Sequence, residues 1–217
     1  MGLVFIQLLK IIYIVNSSLN SVTLCNLGTT GNIERCADSG VGGLDSPHGI
    51  ALNPAKTFIY ITNDNNVITK CSINSNNGAL ENCSNAGATL VVRPRGIAIN
   101  NSGTRAYIAN FSGSSRIIVM CTINSNTGLM NNCVNSGALF SMPTYGVILN
   151  SNNTIAYISD GDTTLSQCNI NPTTGFLSGC ASLNVSGLNG PLFIARNPNN
   201  SIIYIPNAGN NTITQCQ

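Results

Sequence analysis

The residues with the clearest capacity for chemistry are the nine cysteines. Eight fall into pairs 11 or 12 residues apart, which are Cys25/Cys36, Cys71/Cys83, Cys121/Cys133 and Cys168/Cys180, and Cys216 is left unpaired. Such pairs predict either disulfides between neighbouring strands or reduced thiols packed in the interior. A zinc site is disfavoured, because zinc ligands are usually closer in sequence and the chain has a single histidine.

A glycine stands at the same place inside three of the four cysteine loops, at Gly78, Gly128 and Gly175. Counting inwards from Cys71 and Cys83 gives a three-residue hairpin loop, Asn76-Asn77-Gly78, whose last position favours a left-handed glycine. This register places Cys71 directly opposite Cys83. Each closed loop would contribute about 3 kcal/mol to stability and would require an oxidising compartment. The first loop is one residue shorter, which predicts a less favourable geometry for Cys25 and Cys36.

A second group of residues could bind a ligand. If the chain forms small sheets arranged around an axis, the residues just before the first strand of each sheet border the opening on that axis. They are His48, Arg93, Arg95, Thr144, Tyr145 and Leu192. His48, Arg93, Arg95 and Tyr145 are the predicted ligand-binding residues, with the two arginines suited to an anionic group. The alternative interpretation is that His48 is an ordinary surface residue and the arginines are ordinary solvated charges.

The acidic residues give little support for catalysis or metal binding. Asp160-Gly161-Asp162 resembles half of a calcium loop, but it occupies the same turn as Asn63-Asp64-Asn65-Asn66, and Asn, Asp and Gly are typical turn residues. No nucleophile elbow, phosphate-binding loop or zinc-protease motif occurs. We therefore predict no cofactor, no metal and no catalytic residue.

The elements that position these residues follow from a repeat. Five tyrosines, Tyr13, Tyr60, Tyr107, Tyr157 and Tyr204, are separated by 47, 47, 50 and 47 residues within a recurring Tyr-Ile pattern. A fixed period of this length is typical of repeat architectures. We assign the whole chain, 1–217, to one domain with repeats at approximately 2–46, 47–93, 94–142, 143–190 and 191–217.

Each repeat predicts four short antiparallel strands separated by Gly, Asn, Ser and Pro turns. In the third repeat they are 96–100, 106–110, 116–123 and 129–133. Runs such as Ile59-Tyr60-Ile61 are apolar on both faces, so both faces of each sheet should be covered by neighbouring sheets. Four-stranded sheets stacked around an axis, as in a β-propeller, provide that cover.

Three short sequence motifs recur in the repeats: Pro-x-Gly-Ile-Ala-x-Asn, then Tyr-Ile-x-Asn, then Asn-x-Val/Ile-Thr. Together they resemble the YVTN-type β-propeller repeat, and the resemblance covers the whole chain. The resemblance extends to lactonase-like and surface-layer propellers and implies an all-β ring of about seven blades. This chain differs in its cysteine pairs and in its length. Its repeats predict four complete blades and a three-stranded fifth, either as a closed five-bladed ring or as a fragment of a larger propeller.

The first residues permit two interpretations. The apolar run from Gly2 to Val15 looks like a signal peptide or membrane anchor, but Lys10 interrupts it and no basic segment precedes it. Gly2 also stands 11 residues before Tyr13, as Gly49, Gly96 and Gly146 do before their tyrosines. We therefore predict a strand pair and no membrane span.

The composition limits the classes of function that the chain could have. The chain has 217 residues, 7% charged residues and a net charge of +2, which argues against nucleic-acid binding. We expect an extracellular, periplasmic or cell-surface scaffold that binds a protein or glycan, with self-association through an open blade edge. The alternatives are a lactonase-like hydrolase and a truncated propeller fragment without activity of its own.

Overall fold

A computed structural model of the chain describes residues 2–6, 10–112, 114, 116–197 and 201–216. These residues form strands and a single short 3₁₀ turn, Ser17–Leu19. Strands β1 to β4 are Leu3–Ile6, Ile11–Asn16, Ser21–Leu27 and Ile33–Asp38; β5 to β8 are Ile50–Leu52, Phe58–Thr62, Ile68–Ile73 and Leu80–Asn85. Strands β9 to β12 are Pro94–Ile99, Arg105–Asn110, Ile117–Ile123 and Met130–Leu139; β13 to β16 are Gly146–Leu149, Ile155–Ser159, Leu165–Ile170 and Leu177–Leu183. Strands β17 to β19 are Ala195–Arg196, Ile203–Asn207 and Thr212–Cys216.

The strands form five antiparallel sheets, each built from strands that are consecutive in the chain. Blades 1 to 4 comprise β1–β4, β5–β8, β9–β12 and β13–β16, and blade 5 comprises β17–β19. This is the predicted all-β propeller with four complete blades and a three-stranded fifth. The segment predicted as a strand pair at the start is confirmed, because β1 pairs with β2. Strand β12 is longer than expected and pairs with β11 as far as Leu139.

The core lies between the blades. The second strand of blade 2 shows why: Ile59 and Ile61 pack against blade 1, whereas Tyr60 packs against blade 3. The buried tyrosines also bond across the interface. The Tyr60 hydroxyl donates to the Gly128 carbonyl at 2.9 Å and the Tyr107 hydroxyl to the Gly175 carbonyl at 2.8 Å. The repeated tyrosine of blades 2 and 3 thus bonds to the loop between the third and fourth strands of the following blade.

Close packing between blades also explains the glycine that recurs near the start of the first strand. A Cβ on Gly96 would lie 2.7 Å from the Tyr145 carbonyl oxygen, and one on Gly146 would lie 2.7 Å from the Leu192 carbonyl oxygen. Backbone of the following blade therefore approaches too closely for any side chain. In blade 5 the position 11 residues before Tyr204 is Phe193, so the fifth copy departs from the pattern.

Blade 5 is also less covered than the others. Ile68 and Ile118, three residues before the third-strand cysteines of blades 2 and 3, are fully buried, whereas Ile213 at the same position of blade 5 is 70% exposed. Four buried clusters join successive blades. Within the described part of the chain, none of these clusters joins blade 5 to blade 1.

All four predicted disulfides form, and Cys216 is the free cysteine of the described residues. The predicted register is confirmed on the far side of the cysteines, where Thr69 pairs with Asn85, but it is wrong by one residue between the cysteines and the turn. Lys70 pairs with Ser84 and Ser72 pairs with Glu81, so Cys71 faces a bulge formed by Asn82 and Cys83. Asn82 adopts the left-handed φ of 49° that the bulge requires.

The cause of the register difference lies in the turn. Asn74 receives hydrogen bonds on its carbonyl from the Gly78 amide and on its side chain from the Asn76 amide, so the ladder closes at Ile73 and Leu80. In the shorter first loop the register shift lies between Asn26 and Leu27, on the turn side of the cysteines, and Cys25 pairs directly with Cys36. Their Cα atoms are 4.1 Å apart, as for Cys71 and Cys83, so the expectation of a poorer geometry was wrong.

Candidate functional site

Loops of blades 2 to 4 bring several of the predicted residues together. His48 precedes β5, Arg93 and Arg95 lie at the start of β9, and Tyr145 precedes β13. Between them lie two residues that the sequence did not indicate, Asp64 in the turn after β6 and Phe111 after β10. We call these six residues, His48, Asp64, Arg93, Arg95, Phe111 and Tyr145, the Asp64 cluster.

The loops are held by polar contacts between blades. Asn66 has a left-handed φ of 65°, and its side chain accepts a hydrogen bond from the Arg93 amide at 2.7 Å. The Thr62 hydroxyl donates to the Arg95 carbonyl, also at 2.7 Å. These turn residues fix the start of β9 against blade 2, and they thereby determine where both arginine side chains lie.

Asp64 is the electrostatic centre of the cluster. Its Oδ1 lies 2.6 Å from Nη1 of Arg95 and 3.5 Å from Nε2 of His48, and its Oδ2 lies 3.5 Å from Nη2 of Arg93. Burial raises the pKa of Asp64, but the charges of Arg95, His48 and Arg93 outweigh burial and hold it below its ordinary value. One carboxylate is therefore the counter-ion of two guanidinium groups, and the cluster has a net positive charge.

The two arginines are not equivalent. Arg95 is 5% exposed, and its Nε is buried without a hydrogen-bond partner. The Arg93 side chain is 50% exposed. A buried guanidinium needs its carboxylate, so Arg95 is a fixed part of the fold, whereas Arg93 presents charge to a solute.

An aromatic pair completes the site. The rings of Phe111 and Tyr145 lie with their centroids 4.5 Å apart and their planes tilted by 44°. The guanidinium carbons of Arg93 and Arg95 lie 5.2 Å and 5.0 Å from the Phe111 centroid, which is within the range of a cation–π interaction. Phe111 therefore restricts both arginine side chains and adds apolar surface beside their charge.

His48 is neutral at physiological pH in this setting. Burial, followed by the charge of Arg95, lowers the pKa of His48 to about 4 despite the opposing Asp64 carboxylate. Its Nε2 is buried, and at 3.5 Å from Asp64 it lacks a normal hydrogen bond. His48 is thus a neutral, incompletely satisfied group at the edge of the cluster.

This pKa predicts acid-labile stability. The folded-state pKa of about 4 lies below the ordinary 6.5, so the unfolded chain binds more protons between these values and stability falls as the pH drops through that window. The full difference corresponds to about 3 kcal/mol. Asp64 acts in the same direction at lower pH, because its own pKa is lowered. Urea unfolding measured from pH 7 to pH 4 checks this.

The matched control is His48→Gln, which cannot titrate. Its stability should change much less between pH 6.5 and pH 4 than that of the unchanged chain. Parallel pH profiles for the two proteins would contradict the assignment of the acid sensitivity to His48.

Two neighbouring residues that were grouped with the site have structural contacts. The Thr144 side chain is buried and its hydroxyl donates to the Asn110 carbonyl at 3.1 Å. The Leu192 carbonyl accepts a hydrogen bond from the Ser159 hydroxyl. Both therefore hold adjacent blades together.

A separate cavity of about 560 Å³ lies along the axis, lined mainly by first strands of the blades. Its walls include Gly49, Gly96, Gly146 and several aliphatic residues, with Arg196 as the charged lining residue. The four predicted ligand-binding residues are not among its lining. They lie at the starts of these strands or in the loops that precede them, one or more positions before each glycine.

Two further structural findings concern metals and membranes. Asp160 accepts hydrogen bonds from the amides of Asp162 and Thr164, as a turn residue does. Within the described ranges, no group of three His, Cys, Asp or Glu side chains is placed to hold a metal ion. Nor does the described part of the chain contain a helix long and apolar enough to cross a bilayer.

Five sheets stacked around an axis define the class of this protein as a β-propeller. The family model described as "Lactonase, 7-bladed beta-propeller" matches residues 3–145, which is more than half of the chain. The chain belongs to this family. No curated protein sequence matches it significantly.

Solved structures agree on the fold. A structure described as a nidogen/laminin complex has a TM-score of 0.76 and 18% identity, with 100% of this chain and 75% of that chain covered. A putative 6-phosphogluconolactonase from Bacteroides fragilis has a TM-score of 0.66 and 17% identity, with 95% and 63% covered. Another from Bacteroides uniformis has a TM-score of 0.64 and 14% identity, with 93% and 64% covered. This chain thus spans less than two thirds of either lactonase-like structure.

Proposed function

We propose that the protein is a binding scaffold, secreted or exposed at a cell surface, that holds a protein or glycan partner at the Asp64 cluster and does not catalyse a reaction. The observation that supports this most directly is the half-exposed Arg93 guanidinium beside the Phe111 ring. A fixed cation next to an aromatic face suits an acidic group attached to an apolar or sugar body. The four disulfides support an oxidising location.

The geometry indicates how such a partner would bind. Arg95 is already committed to Asp64, with Nη1 and Oδ1 2.6 Å apart, whereas Arg93 is 3.5 Å from the same carboxylate. An incoming carboxylate would therefore compete for Arg93, and Tyr145 would lie beside its carbon skeleton. Arg95 and Asp64 would keep the site in shape without large rearrangement.

Binding can be tested with two acidic probes and one neutral probe: trigalacturonate, a hexaglutamate peptide and maltotriose. Titration calorimetry should show that at least one acidic probe binds and that maltotriose does not. Arg93→Ala should weaken that binding about tenfold, because a hydrogen bond to a charged group contributes about 1.5–3 kcal/mol. Arg35→Ala, on exposed strand β4, is the matched control. Equal weakening by both substitutions, or no binding of either acidic probe, would contradict the proposal.

A lactone hydrolase is the second candidate, favoured by the family match to residues 3–145. In that case His48 would act as the base, with Asp64 3.5 Å away. Release of acid from glucono-δ-lactone, followed in a pH-stat, separates the two candidates. The binding proposal expects a rate equal to that of buffer, whereas turnover abolished by His48→Gln would establish the hydrolase.

A further inference from the structure

The charged side chains divide unevenly between the two ends of the blades. In these antiparallel sheets the turn between the first and second strands and the loop between the third and fourth strands lie at one end. Six of the nine basic and two of the seven acidic residues lie in or beside these connections, which gives this end a net charge of +4. The opposite end, which carries the Asp64 cluster, has three basic and five acidic residues and a net charge of −2. We call the first end the basic face; its cations are Lys10, Arg35, Lys56, Lys70, Arg105 and Arg196.

The cations of the basic face have no carboxylate partner among the residues that the structure describes. The salt bridges found there all involve Asp64, at the other end of the molecule. Nζ of Lys70 instead lies 3.0 Å from the Thr127 carbonyl oxygen, and Nη2 of Arg105 lies 2.6 Å from that of Thr173. A carbonyl group fixes the position of a cation without neutralising it, so the positive charge of this face acts on its surroundings.

Two lysines occupy turn positions that do not favour lysine. Lys10 and Lys56 are exposed, and their φ angles of 50° and 56° lie in the left-handed region that glycine and asparagine adopt most readily. The position of Lys56, four residues before the repeated tyrosine, is held by Gly103 in blade 3 and by Asn153 in blade 4, also with positive φ. The turn itself does not require a lysine, so the conformational cost of Lys56 points to a role for its charge.

Exposed apolar side chains lie beside these cations. Leu129 and Phe176 are each 43% exposed, and Ile33, which begins β4 at the same end, is 57% exposed. Leu129 follows within three residues the carbonyl that holds Lys70, and Phe176 does the same for Arg105. A cation next to an exposed apolar side chain is thus repeated at two successive blade interfaces. This combination suits the surface of an anionic bilayer, where cations meet phosphates and apolar groups enter the acyl boundary.

We propose that the basic face is a peripheral membrane-binding surface that adsorbs to a bilayer containing anionic phospholipid. The opposite end also exposes apolar side chains, among them Leu139 at 78%, but an anionic bilayer repels its net negative charge. A soluble polyanion would use the cations of the basic face and leave Leu129 and Phe176 without a role. Adsorption through this face would direct the Asp64 cluster away from the bilayer, where a partner can reach it.

Vesicle co-sedimentation tests the charge contribution. The protein should bind vesicles of phosphatidylcholine with one third phosphatidylglycerol, and added salt should weaken this binding. Lys56→Asn keeps a residue suited to the left-handed turn and should weaken binding about fivefold, and Lys10→Asn in addition should bring the loss to roughly twentyfold. The matched control is Arg116→Asn, which removes a cation from the opposite end and should change binding less than about twofold.

A second pair of variants tests the apolar contribution. Replacement of Leu129 and Phe176 by serine should weaken vesicle binding by at least about tenfold, whereas Leu139→Ser at the opposite end should not weaken it. Thermal unfolding shows that each variant is folded.

Three results would overturn the proposal. They are equal binding to vesicles of phosphatidylcholine alone, equal losses for Lys56→Asn and Arg116→Asn, and no loss for the Leu129 and Phe176 variant. The last result, together with tight binding of dextran sulfate, would assign the basic face to a soluble polyanion. None of them affects the Asp64 cluster proposal, because that cluster lies at the other end of the blades.

Discussion

Reduction of the four disulfides should remove most of the stability of this protein. Each closes a loop with cysteines 11 or 12 residues apart, and loops of that size contribute about 3 kcal/mol each in the chain-entropy model. The contributions are not strictly additive, yet their sum approaches the 5–15 kcal/mol typical of a whole domain. Guanidinium unfolding with and without a phosphine reductant measures the effect.

A single pair separates this effect from general damage by the reductant. Cys121→Ala with Cys133→Ala should lower the free energy of unfolding by about 3 kcal/mol, whereas Cys216→Ser should change it by less than about 0.5 kcal/mol. An unfolding midpoint that does not change under reducing conditions would show that the disulfides contribute little to stability. The packing between blades would then be sufficient to keep the protein folded.

Asp64→Asn should be the most damaging single substitution in the loops. It removes the carboxylate from Nη1 of Arg95, which lies 2.6 Å away on a residue that is 5% exposed. Leaving a buried guanidinium without a counter-ion costs about 3 kcal/mol or more, which for a chain of this size corresponds to a decrease in Tm of roughly 6–12 °C. Differential scanning calorimetry at pH 7 gives the comparison directly.

The matched control is Asp162→Asn, in the corresponding turn of blade 4. Asp162 is exposed, and the salt bridges found in the described residues all involve Asp64. Its substitution should therefore leave Tm within about 2 °C. Equal losses for the two variants would mean that turn geometry, and not the Asp64 ion pairs, determines the stability of these loops.

The architecture could be predicted because its signals are periodic. A tyrosine at a near-constant interval predicted the number of blades. Its burial between blades with a hydroxyl–carbonyl bond, as in Tyr60 to Gly128, explains why that residue type recurs in blades 1 to 3, whereas Tyr204 in blade 5 is 36% exposed. The cysteine spacing predicted the four disulfides for the same reason. Ring closure could not be predicted, because the cover of Ile213 depends on which surfaces meet and not on local sequence.

Other features were missed because they depend on the detailed geometry of a turn or on contacts between distant segments. The bulge at Asn82 adds one residue to a ladder, and a count from cysteine to cysteine cannot locate it. Asp64 lies in an Asn-rich segment, and the preference of Asn and Asp for turns was enough to account for it. Phe111 has no counterpart in the other repeats. The nearest available signal for the cluster was the concentration of Arg93 and Arg95 around a strand start, which predicted charge but not the burial of Arg95.

The central claim is that each repeat folds into its own sheet and that a disulfide links the third and fourth strands of blades 1 to 4. Disulfide mapping of protein from its native source tests this claim most directly. Peptides from a digest made without reductant should contain the four links Cys25–Cys36, Cys71–Cys83, Cys121–Cys133 and Cys168–Cys180. Links between cysteines of different repeats would contradict the fold as described. Nine free thiols would contradict both the four disulfides and the oxidising location.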